Sequence, residues 1–222
     1  MASVGKWGWW IAIAAGVVCG GALGASAQSH RKAPIPAAAG KVTAAQIEAG
    51  KAFGVSTAPI RIDEYFDFEC PHCQNLYLYT LRPLINDYVS SGKVYLVFHD
   101  FPLPGHTYAR IAAEYGDAAA AIGRYSQVES ALFLSQGDWA VSGKVEPIVA
   151  KALSATQARE VEALAESPVV KAAVQADVQR GEDLHVDETP TMFITHKGKR
   201  TPIVGAVSYG ILRNYLNALL QQ

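Results

Sequence analysis

The chain has 222 residues, 50% of them hydrophobic and 18% charged, with a formal net charge of −1. That balance suits a globular domain with a substantial core, and it excludes collagen-like, coiled-coil and disordered chains. No basic run offers an electrostatic footprint for a phosphate backbone, so nucleic acid is not an expected partner.

Residues 1–27 read as a secretory signal. Lys6 is followed by an apolar run from Trp7 to about Leu23, and Ala25-Ser26-Ala27 stands before Gln28 as an A-x-A cleavage site. The alternative is a membrane anchor formed by residues 7–23. Val18 precedes Cys19, where a lipoprotein signal wants a small residue, which argues against lipidation. Cleavage would remove Lys6 and Cys19, leaving a charge of (19−1)−20 = −2 and two of the three cysteines, Cys70 and Cys73. Export to the periplasm or another extracytoplasmic space would put that pair under oxidising conditions.

Residues 28–48 are rich in Ala and Pro and read as a linker with a short helix near Ala44–Ala49, ahead of a domain spanning 49–222. "APIRIDEYFDFE" alternates, with Ile60, Ile62, Glu64, Phe66 and Phe68 on one side and Arg61, Asp63, Tyr65 and Asp67 on the other. This predicts a strand. A helix follows from Pro71 with apolar positions at Leu76, Leu81, Leu84 and Tyr88, and Gly92 stops it. "KVYLVFHDF" predicts a second strand, broken by "PLPGH".

From 107 to about 182 the chain is Ala-rich with helical periods. Helices are expected at about 107–122, 125–135, 143–152, 156–165 and 168–181, with Ser142, Ser154 and Ser167 as N-caps and Pro168 in a first turn. "TMFITHKGKRTPIVGAV" predicts a hairpin turning at Lys197-Gly198-Lys199, and "SYGILRNYLNALLQQ" a closing amphipathic helix. The expected fold class is therefore α/β: a mixed sheet flanked by helices, with an all-helical insertion between a βαβ part and a ββα part.

The stretch "DFECPHCQN" carries the chemistry. A structural zinc site wants four ligands, and no second cysteine pair or matched histidine pair accompanies Cys70 and Cys73. A bridge closing so short a loop would add little stability. The redox reading gives each position a task. Cys70 ends a strand and Pro71 opens a helix, so Cys70 lies where free N–H groups and the helix dipole favour a thiolate. Cys73, one turn in, can resolve a mixed disulfide, and His72 can stabilise the Cys70 anion. A stable thiolate is a good leaving group and makes the disulfide form more oxidising. Glu64 shares its face with apolar residues, where an acid is costly unless it is useful, for instance as a proton acceptor for Cys73.

"YFDFECPHC" after a strand, "FHDFPLPGH" after the next, and "ETPTMFI" beyond the helical insertion together resemble the thioredoxin superfamily. More narrowly they resemble the exported DsbA-like thiol:disulfide oxidoreductases, over the chain from about residue 50 to its end. The resemblance implies a cis-proline loop at Thr189-Pro190 facing the cysteines and presenting backbone groups to an extended substrate. It also implies a buried acid at Glu64, six residues before Cys70. Thr201-Pro202, the same dipeptide, is expected to be trans and inside the hairpin. No metal or cofactor is implied. Partners would be reduced, unfolded or extended exported polypeptides, with a membrane quinone-linked thiol oxidase restoring the disulfide.

The Cys-Pro-His-Cys dipeptide favours a dithiol oxidase. Thr189, in place of valine before Pro190, also occurs in isomerases of the family, so a disulfide reductase or isomerase is the alternative. A non-catalytic metal-binding module is the rival of another class. Glu69 reads as a solvated loop charge, His99 and His106 as polar residues at element ends, and Phe133 and Trp139 as packing.

Overall fold

A computed structural model describes residues 41–222. The expected signal sequence, and most of the expected linker, lie outside the described residues. Five strands form one sheet in the order β1-β3-β2-β4-β5. They are β1 (Ala52–Phe53), β2 (Ile60–Phe66), β3 (Val94–Asp100), β4 (Thr191–His196) and β5 (Lys199–Val204). Only β2 and β3 run parallel; β1–β3, β2–β4 and β4–β5 are antiparallel. The β2–β3 crossover is helical, as a parallel pair requires. This is the mixed, helix-flanked sheet expected from the sequence.

The alternation in β2 holds, and both of its faces are covered. Ile60, Ile62 and Phe66 join the main core with Val94, Leu96, Phe98, Met192 and Ile194. Tyr65, on the opposite face, joins a smaller cluster with Phe101, Val186 and Phe193. Gly181 makes that cluster possible, because a Cβ there would stand 2.5 Å from the Phe101 ring.

Helix α1 (Ala44–Gly50) starts with a capping box, Thr43 and Gln46 each bonding the other's backbone N–H. Its Ile47 is buried in the main core, so packed structure begins before the expected boundary at 48/49. The helix after the cysteines is continuous but uneven. It runs as α2 (Pro71–Leu76), a wider π turn (Tyr77–Leu81), α3 (Arg82–Leu84) and a second π turn (Ile85–Val89). Pro83 brings no N–H to this stretch, which leaves the backbone to find other spacings. Gly92, at φ 72°, makes the turn into β3.

The insertion contains α4 (Ala109–Ala121), α5 (Tyr125–Leu134), α6 (Gln136–Ser142), α7 (Val145–Ala152), α8 (Ala155–Ala165) and α9 (Pro168–Asp183). Ser154 caps α8 in a full capping box with Gln157. Ser167 precedes Pro168 as expected, although its hydroxyl donates backwards to Leu164 O. Ser142 is not an N-cap. It is the last residue of α6, a helix the periodicity did not announce, and it donates to Asp138 O. The hairpin turns through Lys197 and Gly198, both at positive φ, a two-residue geometry that suits the strand twist. Helix α10 (Tyr209–Leu220) closes the fold, burying Leu212 and Leu216.

Candidate active site

Cys70 is the N-cap residue of α2, and Pro71 takes the first helical position, where a missing N–H costs nothing. The two thiols are free, with Cys70 4% exposed and Cys73 fully buried. The cysteine loop is held from several directions. Cys70 N–H donates to Asp67 O at 3.1 Å. Gln136 Nε2 at the start of α6 donates to Phe68 O at 2.6 Å and to Cys70 O at 3.0 Å. Gln74 Nε2 ties α2 to Phe133 O at 2.6 Å.

The Thr189–Pro190 peptide is cis and faces the cysteines, with the Cys70 thiol donating to Thr189 O at 3.4 Å. The Thr189 hydroxyl is buried and has no hydrogen-bond partner among the described residues. When Cys70 ionises, that hydroxyl can donate to the sulfur.

The two sulfurs are pushed apart in acidity. Cys70 is lowered to about 5. The Cys73 thiol donating to the Cys70 anion is the largest cause. Burial opposes the shift, and the Thr189 hydroxyl and the N–H groups of Cys73 and His72 add to it. Cys73 is raised well above the ordinary range, first by burial and then by its place as donor to Cys70, with Glu64 adding a further electrostatic push. Asp67 N–H, 3.4 Å from Cys73 Sγ, works the other way. At neutral pH Cys70 is a thiolate and Cys73 a thiol, which suits a nucleophile and a resolving partner.

Glu64 is buried in β2 opposite Phe98 on β3 and Met192 on β4. Burial raises its carboxyl to about 8, and Oε2 has no partner among the described residues. A carboxyl that titrates near neutrality beside a buried thiol can carry a proton to or from it.

His72 is exposed, and the contribution it makes to the Cys70 anion is that of its backbone N–H. The histidine with a visible place near the sulfur is His106. Its Nδ1 lies 2.7 Å from Asp67 Oδ2, and its raised pKa reflects Asp67, Glu69 and the Cys70 charge overcoming partial burial. Asp67 also accepts from Leu103 N–H at 2.8 Å and Glu69 N–H at 2.7 Å, so one buried carboxylate fixes both the cysteine loop and the "PLPGH" loop. Glu69, expected in solvent, is half-buried and accepts from Tyr108 N–H at 2.7 Å, just before α4.

Sequence reasoning missed Asp67, Gln136 and His106 as site residues. Asp67 was visible as an acid between a strand end and a cysteine; nothing local marked Gln136. Thr201–Pro202 lies within β5, with Pro202 opposite Phe193, and Thr189–Pro190 is the cis bond among the described residues.

Comparison with known proteins agrees with this geometry. A family profile described as thioredoxin matches residues 46–204. The chain is 24% identical over 150 residues to the probable disulfide bond formation protein D of Bacillus anthracis, covering 65% of this chain and 69% of that protein. It is 30% identical over 170 residues to the Na(+)/H(+) antiporter NhaA 3 of Salinispora tropica, covering 76% of this chain but only 25% of the antiporter. Among solved structures, alpha-DsbA1 of Wolbachia pipientis superposes with a TM-score of 0.64 at 19% identity, covering 76% of this chain and 89% of that one. With a profile match across most of its length and a DsbA-like form of the fold, the chain belongs to the thioredoxin family.

Proposed function

We propose that the protein is an exported thiol:disulfide oxidoreductase that acts as a dithiol oxidase, transferring the Cys70–Cys73 disulfide to reduced exported polypeptides. The observation that carries this reading is the placement of the two sulfurs, Cys70 at the N-cap of α2 and 3.4 Å from Thr189 O beside the cis-proline, Cys73 fully buried one turn in; the shifts in acidity, Cys70 down and Cys73 up, follow from it. In the oxidised protein a substrate thiolate attacks Cys70 Sγ. Cys73 departs with the electron pair of the broken S–S bond and takes a proton from Glu64. A second substrate thiolate then attacks the substrate sulfur of the mixed disulfide, and Cys70 departs as a stable thiolate. Atoms and electrons balance: two substrate thiols become one disulfide, and the protein's disulfide becomes a thiolate and a thiol.

The low Cys70 pKa favours this direction. Relative to an ordinary cysteine, its stabilisation at neutral pH is worth about 3 kcal/mol, or about 60 mV of oxidising power. Thr189, at the cis-proline loop, offers its backbone to an extended substrate strand beside Cys70. A membrane quinone-linked thiol oxidase would restore the disulfide, and the signal-like residues 1–27 would deliver the protein to it. Equilibration with glutathione tests the direction. A reduction potential well above the roughly −270 mV of thioredoxin is expected, and a value at or below it overturns the oxidase reading.

A further inference from the structure

The helical insertion and the cysteine helix exchange side-chain amides across their ends. The last turn of α5 leaves carbonyls without helical partners. Leu132 O accepts from Trp139 Nε1 of α6 at 2.8 Å, and Phe133 O accepts from Gln74 Nε2 of α2 at 2.6 Å. Trp139 is fully buried, so α6 is pinned against α5 together with its first residue, Gln136. Phe133 packs on Phe68 at 5.1 Å and stacks on Tyr77 at 4.7 Å, which sets this corner against both the cysteine loop and the cysteine helix. From there the buried Gln136 amide returns to the loop. Its two hydrogens serve two carbonyls, Phe68 O at 2.6 Å and Cys70 O at 3.0 Å.

An N-cap residue is ordinarily fixed by its own side chain, which accepts from the first turn of the helix. The Cys70 thiol makes no such bond; it donates to Thr189 O at 3.4 Å. The backbone takes over the task. Cys70 N–H donates to Asp67 O at 3.1 Å, and Cys70 O accepts from Gln74 N–H at 3.1 Å and from Gln136. Cys70 stands at φ −74° and ψ 121°. Rotation about ψ would swing the sulfur relative to the N–H groups of His72 and Cys73, and the carbonyl bonds resist that rotation. A cap made through the carbonyl also spares the sulfur, so it serves the thiolate, the mixed disulfide and the disulfide alike.

We propose that Gln136 is a positioning residue of the redox centre: by holding Phe68 O and Cys70 O it keeps the Cys70 sulfur aimed at the N–H groups of α2. The helical insertion thereby sets how stable the leaving thiolate is. The proposal deepens the oxidase reading above and rests on it.

Gln136→Met tests the role. It keeps the length of the side chain, removes both donors and alters no titratable group. Asp67, Glu69, His106 and Cys73 around Cys70 stay in place, as does Glu64 near Cys73. Thiolate absorbance should put the Cys70 midpoint about half a unit to one unit higher, the worth of one hydrogen bond. The glutathione equilibrium constant should move about three- to tenfold toward the protein disulfide. Gln74→Met is the comparison. It removes the bond to Phe133 O but leaves the Gln74 N–H on Cys70 O, so it should destabilise the fold similarly while midpoint and equilibrium stay at wild-type values. Equal shifts in the two variants would mean general loosening and overturn the positioning role, as would wild-type readings in Gln136→Met. A wild-type potential at or below that of thioredoxin overturns the oxidase reading instead, and the comparison of midpoints still decides the role of Gln136. Should Gln136→Met fail to fold, the side-chain amide resonances of Gln136 in the reduced wild-type protein decide. Shifts that titrate with the Cys70 midpoint support the role, and shifts that stay flat through it overturn it.

Discussion

Two buried polar regions lie within one sheet's reach and are built on opposite terms. At the cysteine side, Glu64 and Glu129 are acids whose oxygens Oε2 and Oε1 lack partners among the described residues, and both are raised by burial. At the edge where α1, α4 and α9 meet β3, the acids converge on cations. Lys51 Nζ lies 2.7 Å from Asp100, 2.6 Å from Asp117 and 2.6 Å from Asp177. His99 continues the network, 3.1 Å from Asp177 and 3.0 Å from Asp63, and Arg61 closes on Asp63. Asp177 is held below the usual carboxylate range although burial opposes it, because Lys51 and His99 outweigh that cost. Charge paired through Lys51 and His99 ties the helices to the sheet, although burial pushes Asp100 and Asp117 up; at the cysteine side burial alone keeps Glu64 protonated. The first region should therefore govern turnover at some cost in stability, and the second should govern stability.

The largest expected effect on turnover belongs to the cysteines. Cys73→Ser should accumulate a mixed disulfide with a substrate peptide through Cys70. Cys70→Ser should trap little, because Cys73 is fully buried and its thiol resists ionisation. Non-reducing gels after mixing with an oxidised peptide check this. Equal trapping by both variants would sink the assignment of roles.

Next in size is Lys51→Met, directed at the paired region. It leaves three buried carboxyls without their shared cation and should destabilise the fold by about 3–5 kcal/mol, the usual cost of breaking a buried ion pair from one side. Urea unfolding measures the loss. The Cys70 thiolate absorbance of the folded variant should titrate as in the wild type. A change under about 1 kcal/mol would mean that the network contributes little net stability.

Glu64→Gln should have the opposite sign. A carboxyl raised from 4.5 to about 8 favours folding less and less as pH climbs from its unfolded value to its folded one. The destabilisation begins above about pH 4.5 and is complete near pH 8. The variant should therefore gain stability over wild type in that window, by up to about 3 kcal/mol at neutral pH. Parallel stability curves across pH would contradict the buried-acid account, whereas slower turnover in a more stable protein would sharpen the contrast between the two regions.

Much of this architecture was legible along the chain, for local reasons. Alternation marked β2 and placed Glu64 with the core, Ser154 and Gln157 wrote out their capping box, and Lys197-Gly198 marked the hairpin. The Cys70/Cys73 pair and Thr189–Pro190 were readable because spacing and motif carry them. What escaped depends on long-range packing. Helix α6 has 7 residues with Gly137 among them, too little to show a period, so Gln136 went unnoticed 68 residues from the carbonyl it bonds. The contact between His106 and Asp67 spans 39 positions, and that of Lys51 with Asp177 spans 126. Strand β1 has two residues and follows from pairing with β3 alone. Glu129 carries no motif, and it is buried only by the packing of α5 against the sheet.

The smallest expected effect separates the two histidines near Cys70. His72 is exposed at the helix start, and its N–H would remain in His72→Ala, so this variant isolates the imidazole. His106 is held by Asp67, and its raised pKa keeps it charged where Cys70 titrates, near 5. His106→Ala should therefore raise the Cys70 pKa by about 1 unit or less, about 1.4 kcal/mol at most, with a matching fall in reduction potential. The sign of the linked stability follows from the depressed thiolate pKa. Its contribution to the reduced fold is complete above the unfolded value near 9 and is lost as pH falls to about 5. In His106→Ala that loss should be complete at a slightly higher pH. Thiolate absorbance from about pH 3 to 8 on wild type and both variants reads the shifts directly. An unchanged midpoint in His106→Ala would assign the low pKa to Cys73, Thr189 and the helix N–H groups. A larger shift in His72→Ala than in His106→Ala would return the electrostatic role to the imidazole between the cysteines.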